Sequence, residues 1–149
     1  MDTSTNDSNT NNLNTSKSTK YDNSPLYYKA TTMQDTVVVP VGVTFEKGTL
    51  LGEITASGKL TKFSASATDG SQVPVAVLNR EITNNDNSSE SVDIIASVII
   101  LGILNENKIV FDDGVTLDTI VADKGRIRTL LKNNGLLVLS SQNLNNYLN

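Results

Sequence analysis

Residues 46–63 read EKGTLLGEITASGKLTKF, with glycines at 48, 52 and 58 and a further one at 70. Glycine reaches positive φ without steric cost, so Lys47 with Gly48 and Ser57 with Gly58 are turn signals. Leu50, Leu51 and Ile54 lie between these turns, and Leu60 follows. Short apolar pieces joined this tightly fit strands of a small β-barrel or sandwich. Gly52 sits inside a strand-like run and marks a bulge or sharp bend. The glycines do not make a phosphate loop. Their spacing is not the dinucleotide pattern, no Gly-Lys-Ser/Thr follows, and no long helix begins there.

The segments around this core extend the pattern. Residues 37–39 are three valines that form a strand, stopped or pushed to a sheet edge by Pro40. Phe63, Ala65 and Ala67 alternate with polar residues, and Asp69 with Gly70 is a turn. Val73, Val75 and Val77 alternate with Pro74, Ala76 and Leu78, so this strand is apolar on both faces. Pro74 marks a position without a ladder donor. Residues 83–91, TNNDNSSES, form a polar loop. Val92, Ile94, Ala96, Val98 and Ile100 alternate as a strand does. Their β-branched crowding and Gly102 favour strand over helix, buried on both sides near its end. Residues 108–111 read as a short strand and Asp112, Asp113 and Gly114 as its turn. Ile120, Val121, Ile127, Leu130 and Leu131 stand at helical spacings. They predict a helical turn over residues 117–123 and then a helix to about Asn133. Lys132 suits the helix C-terminus, Gly135 can cap it, and residues 136–139 form a final strand.

Both ends of the chain differ from this body. Residues 1–24 are nearly all Ser, Thr, Asn and Asp, and Leu13 and Tyr21 are the sizeable apolar side chains after Met1. Burying two such groups does not offset an ordering cost of about 1–2 kcal/mol per residue. A disordered polar arm is therefore expected, extending through residue 33, with a β-rich domain over 34–140 and a loosely ordered tail over 141–149. The arm is either a passive terminus or a segment that orders on a partner. Leu26, Tyr27, Tyr28 and Met33 bring apolar surface next to it. Adjacent tyrosines in an extended chain point to opposite sides, so one can pack while the other faces out. In the tail, Leu144, Tyr147 and Leu148 are candidates for burial against a neighbouring subunit.

Several function classes are disfavoured. The chain has no Cys, His or Trp and a net charge of −4. Disulfides, thiol chemistry and His-based triads or zinc sites are excluded. Nucleic acid is not the expected partner, because phosphate contacts need clustered Lys and Arg. The longest apolar run is short and interrupted by Ser97 and Gly102, so no membrane span is expected. No basic region precedes an apolar stretch at the N-terminus, so no signal peptide is expected. Asp86, Glu90 and Asp93 do not match a calcium loop. Asp112 and Asp113 read as turn residues rather than an acid/base pair, since adjacent side chains diverge. Arg126 and Arg128, the densest positive feature of the body, are either solvated or a contact for an acidic patch. No enzymatic activity, cofactor or metal is expected.

Four pieces in this order resemble the head decoration proteins of tailed bacteriophages, the group that includes the lambda decoration protein. They are KGTLLGEITASGKLTKF, DGSQVPVAVLNREI, VDIIASVIILGILNENKI and LKNNGLLVL, covering roughly residues 37–139. Asp69, Gly70, Ala76, Val77 and Leu78 fill the family's second strand motif. Gly102 fills the glycine ending the third. Leu131, Gly135, Leu136 and Val138 fill the helix followed by Gly-Ile/Leu-x-Val. Ala76 stands where the family usually has glycine. The resemblance implies a small, mainly β domain with a short C-terminal helix and no catalysis. It implies a homotrimer that binds the major capsid protein on the outside of the expanded head, at three-fold sites. Such a protein is soluble in the host cytoplasm before assembly. Its loose arm orders on the shell and adds strand-like contacts, with Leu26, Tyr27, Tyr28 and Met33 as capsid contacts near the arm. Alternatives are a head-fibre base, a tail component, or a small β carrier module built around Lys47 or Lys59.

Overall fold

The computed structural model describes residues 25–140. A long strand β1 (Tyr27–Val39) is followed by β2 (Thr44–Phe45), β3 (Leu50–Glu53), β4 (Leu60–Lys62), β5 (Pro74–Leu78) and β6 (Ile82–Thr83). Then come a second long strand β7 (Val92–Asn105), a 3-10 turn (Glu106–Lys108), β8 (Ile120–Val121), β9 (Gly125–Arg126), helix α1 (Ile127–Asn133) and β10 (Leu136–Leu139). The strands run β7-β1-β4-β3-β5, and β5 pairs back onto β7 through Val77 with Ile99 and Leu78 with Val98. The ring is closed, so those strands have no free edge where they pair on both sides. β10 attaches outside the ring, parallel to β7, with Leu136 opposite Gly102 and Leu139 opposite Asn105.

Two cores use opposite faces of the same wall. Val37, Val39, Phe45, Leu51, Leu60, Ala76, Leu78, Ala96 and Val98 form one cluster. Leu50, Val77 and Ile99, their neighbours in sequence, join a second cluster with Leu104, Ile127, Leu130, Leu131 and Leu136. Successive strand side chains alternate faces, so β3, β5 and β7 bury apolar groups both inside the ring and beneath α1 and β10. This is the physical basis of the doubly apolar Val73–Leu78 pattern. The expected mainly β barrel with a short C-terminal helix is what forms.

Gly52 is at the expected bulge: the β3–β5 register shifts between Leu51 and Gly52. A Cβ there would sit 2.6 Å from Ser71 Cα and 2.7 Å from Ser71 C, so the loop backbone crosses where a side chain would be. That loop is held by Asp69, whose Oδ1 accepts from the Ser71 hydroxyl at 2.6 Å and the Ser71 N–H at 3.0 Å. The Ser71 hydroxyl first, and its N–H second, hold the Asp69 carboxyl below its usual range. A folded-state pKa below the unfolded value stabilises the fold above the ordinary carboxylate pKa, and the contribution is lost as pH falls through the lowered folded value. Wild type is thus expected to resist denaturant better than Asp69→Asn at neutral pH, with the advantage shrinking below about pH 4. Midpoints measured across the acid range check this; a constant difference would refute it.

Three local expectations change. Residues 117–123 do not form a helical turn. Ile120 is 65% exposed while Val121 is 1% exposed, a period of two. Ile120 and Val121 instead pair antiparallel with Arg126 and Gly125, and Asp123 takes φ 60 in the connecting turn. Residues 108–111 do not form a strand. Asn105 Oδ1 accepts from the Asn107 N–H at 3.1 Å, which starts the 3-10 turn, and Val110 makes a single bridge to Thr49. The third concerns the domain boundary at residue 34, which falls inside β1: residues 27–33 are paired with β7. The end of α1 matches the expected Asn133. Its first N–H groups have no capping side chain; Ile127 N donates to Thr119 O and Arg128 N to Leu117 O instead.

Candidate functional site

β1 and β7 form a long antiparallel ribbon, from Tyr27 opposite Leu104 to Val39 opposite Val92. On its other side β1 meets β4 only where Val37 pairs with Leu60. Among the described residues, the outer edge of β1 from Tyr27 to Thr36 therefore has no strand partner. Residues 31–34 are all exposed, Met33 at 44%. Across the ribbon Ile95 is 66% exposed and Leu101 47%. An open edge carrying apolar side chains is a template for an added strand.

The start of β1 is fixed by a buried amide. Asn105 is fully buried. Its backbone N–H donates to Leu26 O at 2.8 Å, and its Nδ2 donates to Pro25 O at 3.3 Å. Leu26 is 4% exposed and belongs to the outer core, so its side chain is spent on stability and not presented at the surface. Tyr27 is half-buried against the same cluster. Tyr28 is the extra residue where the register shifts between Tyr27 and Lys29, half-buried and in neither cluster. Because Leu139 also lies opposite Asn105, the two ends of the described chain flank the end of β7. Leu144, Tyr147 and Leu148 lie outside the described residues. Asn105→Ala is expected to cost about 1–2 kcal/mol, since it removes the side-chain hydrogen bonds to Pro25 O and the Asn107 N–H and leaves the buried site without its amide. It should also raise hydrogen exchange at Tyr27 and Tyr28 more than at β3, which exchange mapped by residue would show.

Several of the charged candidates are engaged within the chain. Lys59 Nζ pairs with Asp93 Oδ2 at 2.5 Å, and Lys62 Nζ with Asp112 Oδ1 at 2.5 Å. Arg128 donates to Val138 O at 3.3 Å and lies 3.8 Å from Glu106 and 3.9 Å from Asp118; Arg126 donates to Asp118 O at 3.4 Å. Asp86 Oδ1 accepts from the Ser88 N–H. Among the described residues no three His, Cys, Asp or Glu side chains converge as a metal site would require, and no helix is long and apolar enough to cross a membrane.

The family model of bacteriophage lambda head decoration protein D matches residues 15–127. The chain belongs to that family. The match takes in the closed ring and the β8–β9 hairpin and ends at the first residue of α1. No curated protein matches the chain. Membership in the decoration protein D family makes it a non-catalytic, decoration-type phage structural protein of the viral capsid.

Two features of the decoration protein escaped sequence reasoning. For Asn105 the readable sign was its place in LNEN, because an Asn two residues before an N–H it can cap is a turn signal. The open edge lay in KATTMQDT, where three threonines, β-branched strand formers, were the readable sign.

Proposed function

We propose that the decoration protein binds the outside of the expanded head as a trimer at three-fold sites and cements neighbouring major capsid proteins. The supporting observation is the open edge of β1, which lies just after residues 1–26 in the sequence and is rooted by buried Asn105. The arm and this edge are read as one continuous capsid-binding strand, with Tyr27, Tyr28 and Met33 at its contacts. Leu144, Tyr147 and Leu148 are assigned to the subunit interface. An arm that orders only on the shell meets its entropic cost there. A trimer on a repeating lattice multiplies weak single contacts by effective concentration. Binding the expanded shell alone shifts the shell toward that state by mass action. Before assembly the protein is soluble in the host cytoplasm.

The test uses heads that lack the protein. Deleting residues 1–24 leaves Leu26 and β1 in place. It is expected to retain the trimer by native mass measurement while weakening head binding by at least about a hundredfold, near 2.7 kcal/mol. Met33→Lys should weaken binding about tenfold with an unchanged melting midpoint, as for a central interface side chain. Full affinity in the arm-deleted trimer removes the arm's role. A stable monomer that ignores heads, or labelled protein found on tails, overturns the whole reading.

A further inference from the structure

Asn134 and Gly135 form the one Asn-Gly pair in the sequence. In a flexible chain such a pair deamidates. The Gly backbone nitrogen attacks the Asn Cγ, a N–Cγ bond forms, and the Cγ–Nδ2 bond breaks. The displaced nitrogen takes up the nucleophile's proton and leaves as ammonia. Water then opens the cyclic imide at either carbonyl to give aspartate or isoaspartate. Glycine makes the attack easy because no Cβ hinders rotation about its backbone.

The fold engages both partners of this reaction in other hydrogen bonds. Asn134 is the C-cap of α1, with φ −95 and ψ 10. Its own N–H bonds back to the last turn, at 3.2 Å to Leu130 O and 3.0 Å to Leu131 O. The nucleophilic nitrogen of Gly135 donates its proton to Lys132 O at 3.1 Å. The Asn134 side chain is turned to the barrel, where Nδ2 donates to Pro74 O at 3.0 Å. Asn134 and Gly135 are nonetheless exposed, so water has access and only conformation stands in the way. We infer that Asn134 is a deamidation site kept closed by the folded helix cap, and that its conversion records each opening of that cap. The product reinforces the opening. A carboxylate at residue 134 would face the Pro74 carbonyl oxygen without a proton to donate, and would put negative charge at the C-terminal end of α1, where the helix dipole disfavours it.

The full chain is incubated in mildly alkaline buffer, native and in unfolding concentrations of guanidinium chloride, and conversion is followed by peptide mass mapping. Asn87, exposed in the polar loop and followed by Ser88, is the internal comparator. Conversion at Asn134 is expected to be at least about tenfold faster in the unfolded chain, equivalent to about 1.4 kcal/mol of cap opening. Asn87 should change far less between the two conditions. Asn134→Asp is expected to melt several degrees below wild type. Equal rates at Asn134 in both conditions, or no conversion there in the unfolded chain, overturns the inference. An unchanged melting midpoint for Asn134→Asp overturns the link between conversion and the cap.

Discussion

Gly102→Ala is expected to destabilise the protein by roughly 4 kcal/mol, and to do so where the two long strands meet. Gly102 has φ +142, and a Cβ there would meet the carbonyl oxygen of Lys29 and lie 2.7 Å from Ala30 Cα. Both obstacles are backbone, so neither can swing aside. The strained dihedral costs about 1–3 kcal/mol, and forcing apart a packed contact costs about 1–3 more. Gly102 N also donates to Gly135 O at 3.0 Å, so a displaced β7 pulls on β10 as well as β1. Gly58→Ala is the control: its φ is +72 but nothing lies within 4 Å of its Cβ position, so only the dihedral term of about 1 kcal/mol remains. Denaturant midpoints of the two variants give the comparison. A loss at Gly102 no larger than at Gly58 would refute the close-approach account. Since Ala30 and Lys29 follow the arm root, the same variant should also weaken head binding at temperatures where it stays folded.

Leu131→Ala is expected to cost about 3 kcal/mol, within the range for truncating a buried leucine. Leu131 is fully buried, on a short helix whose contacts are mostly tertiary. A helix of 7 residues does not hold itself in water, so its stability comes from packing Ile127, Leu130 and Leu131 onto the barrel. The cavity would open between α1 and the outer wall made by Leu50, Val77 and Ile99, leaving the inner cluster intact. Leu137→Ala on neighbouring β10, 38% exposed, should change stability by less than about 0.5 kcal/mol. Chemical denaturation separates the two. Similar losses would mean that Leu131 does not hold the core position assigned to it.

Much of the architecture was legible because its signals are local. Turn glycines at 48, 58 and 70, the stop at Pro40, the alternation of residues 92–100 and the helix end near Asn133 follow from the preferences of a few adjacent residues. Misreadings arose where a local signal has two meanings. Ile120, Val121 and Ile127 sit at helical intervals, but Ile120 faces solvent on a hairpin. Residues 29–33 read as part of a loose arm, yet hydrogen bonding to β7 makes them strand while residues 31–33 stay exposed. Composition reports burial, and an edge strand can form with little of it.

By itself the sequence determined that this chain builds strands between turns, carries a short helix before its last strand, lacks the side chains for His or Cys chemistry, and carries the motifs of its family. Those properties belong to single residues and their near neighbours. Only the tertiary structure decided that β5 returns to β7 to close the ring, that Asn105 ties down the start of β1, and that the edge of β1 stays open. Each of these depends on backbone groups distant in the chain coming within hydrogen-bonding range, and backbone groups are the same in every residue.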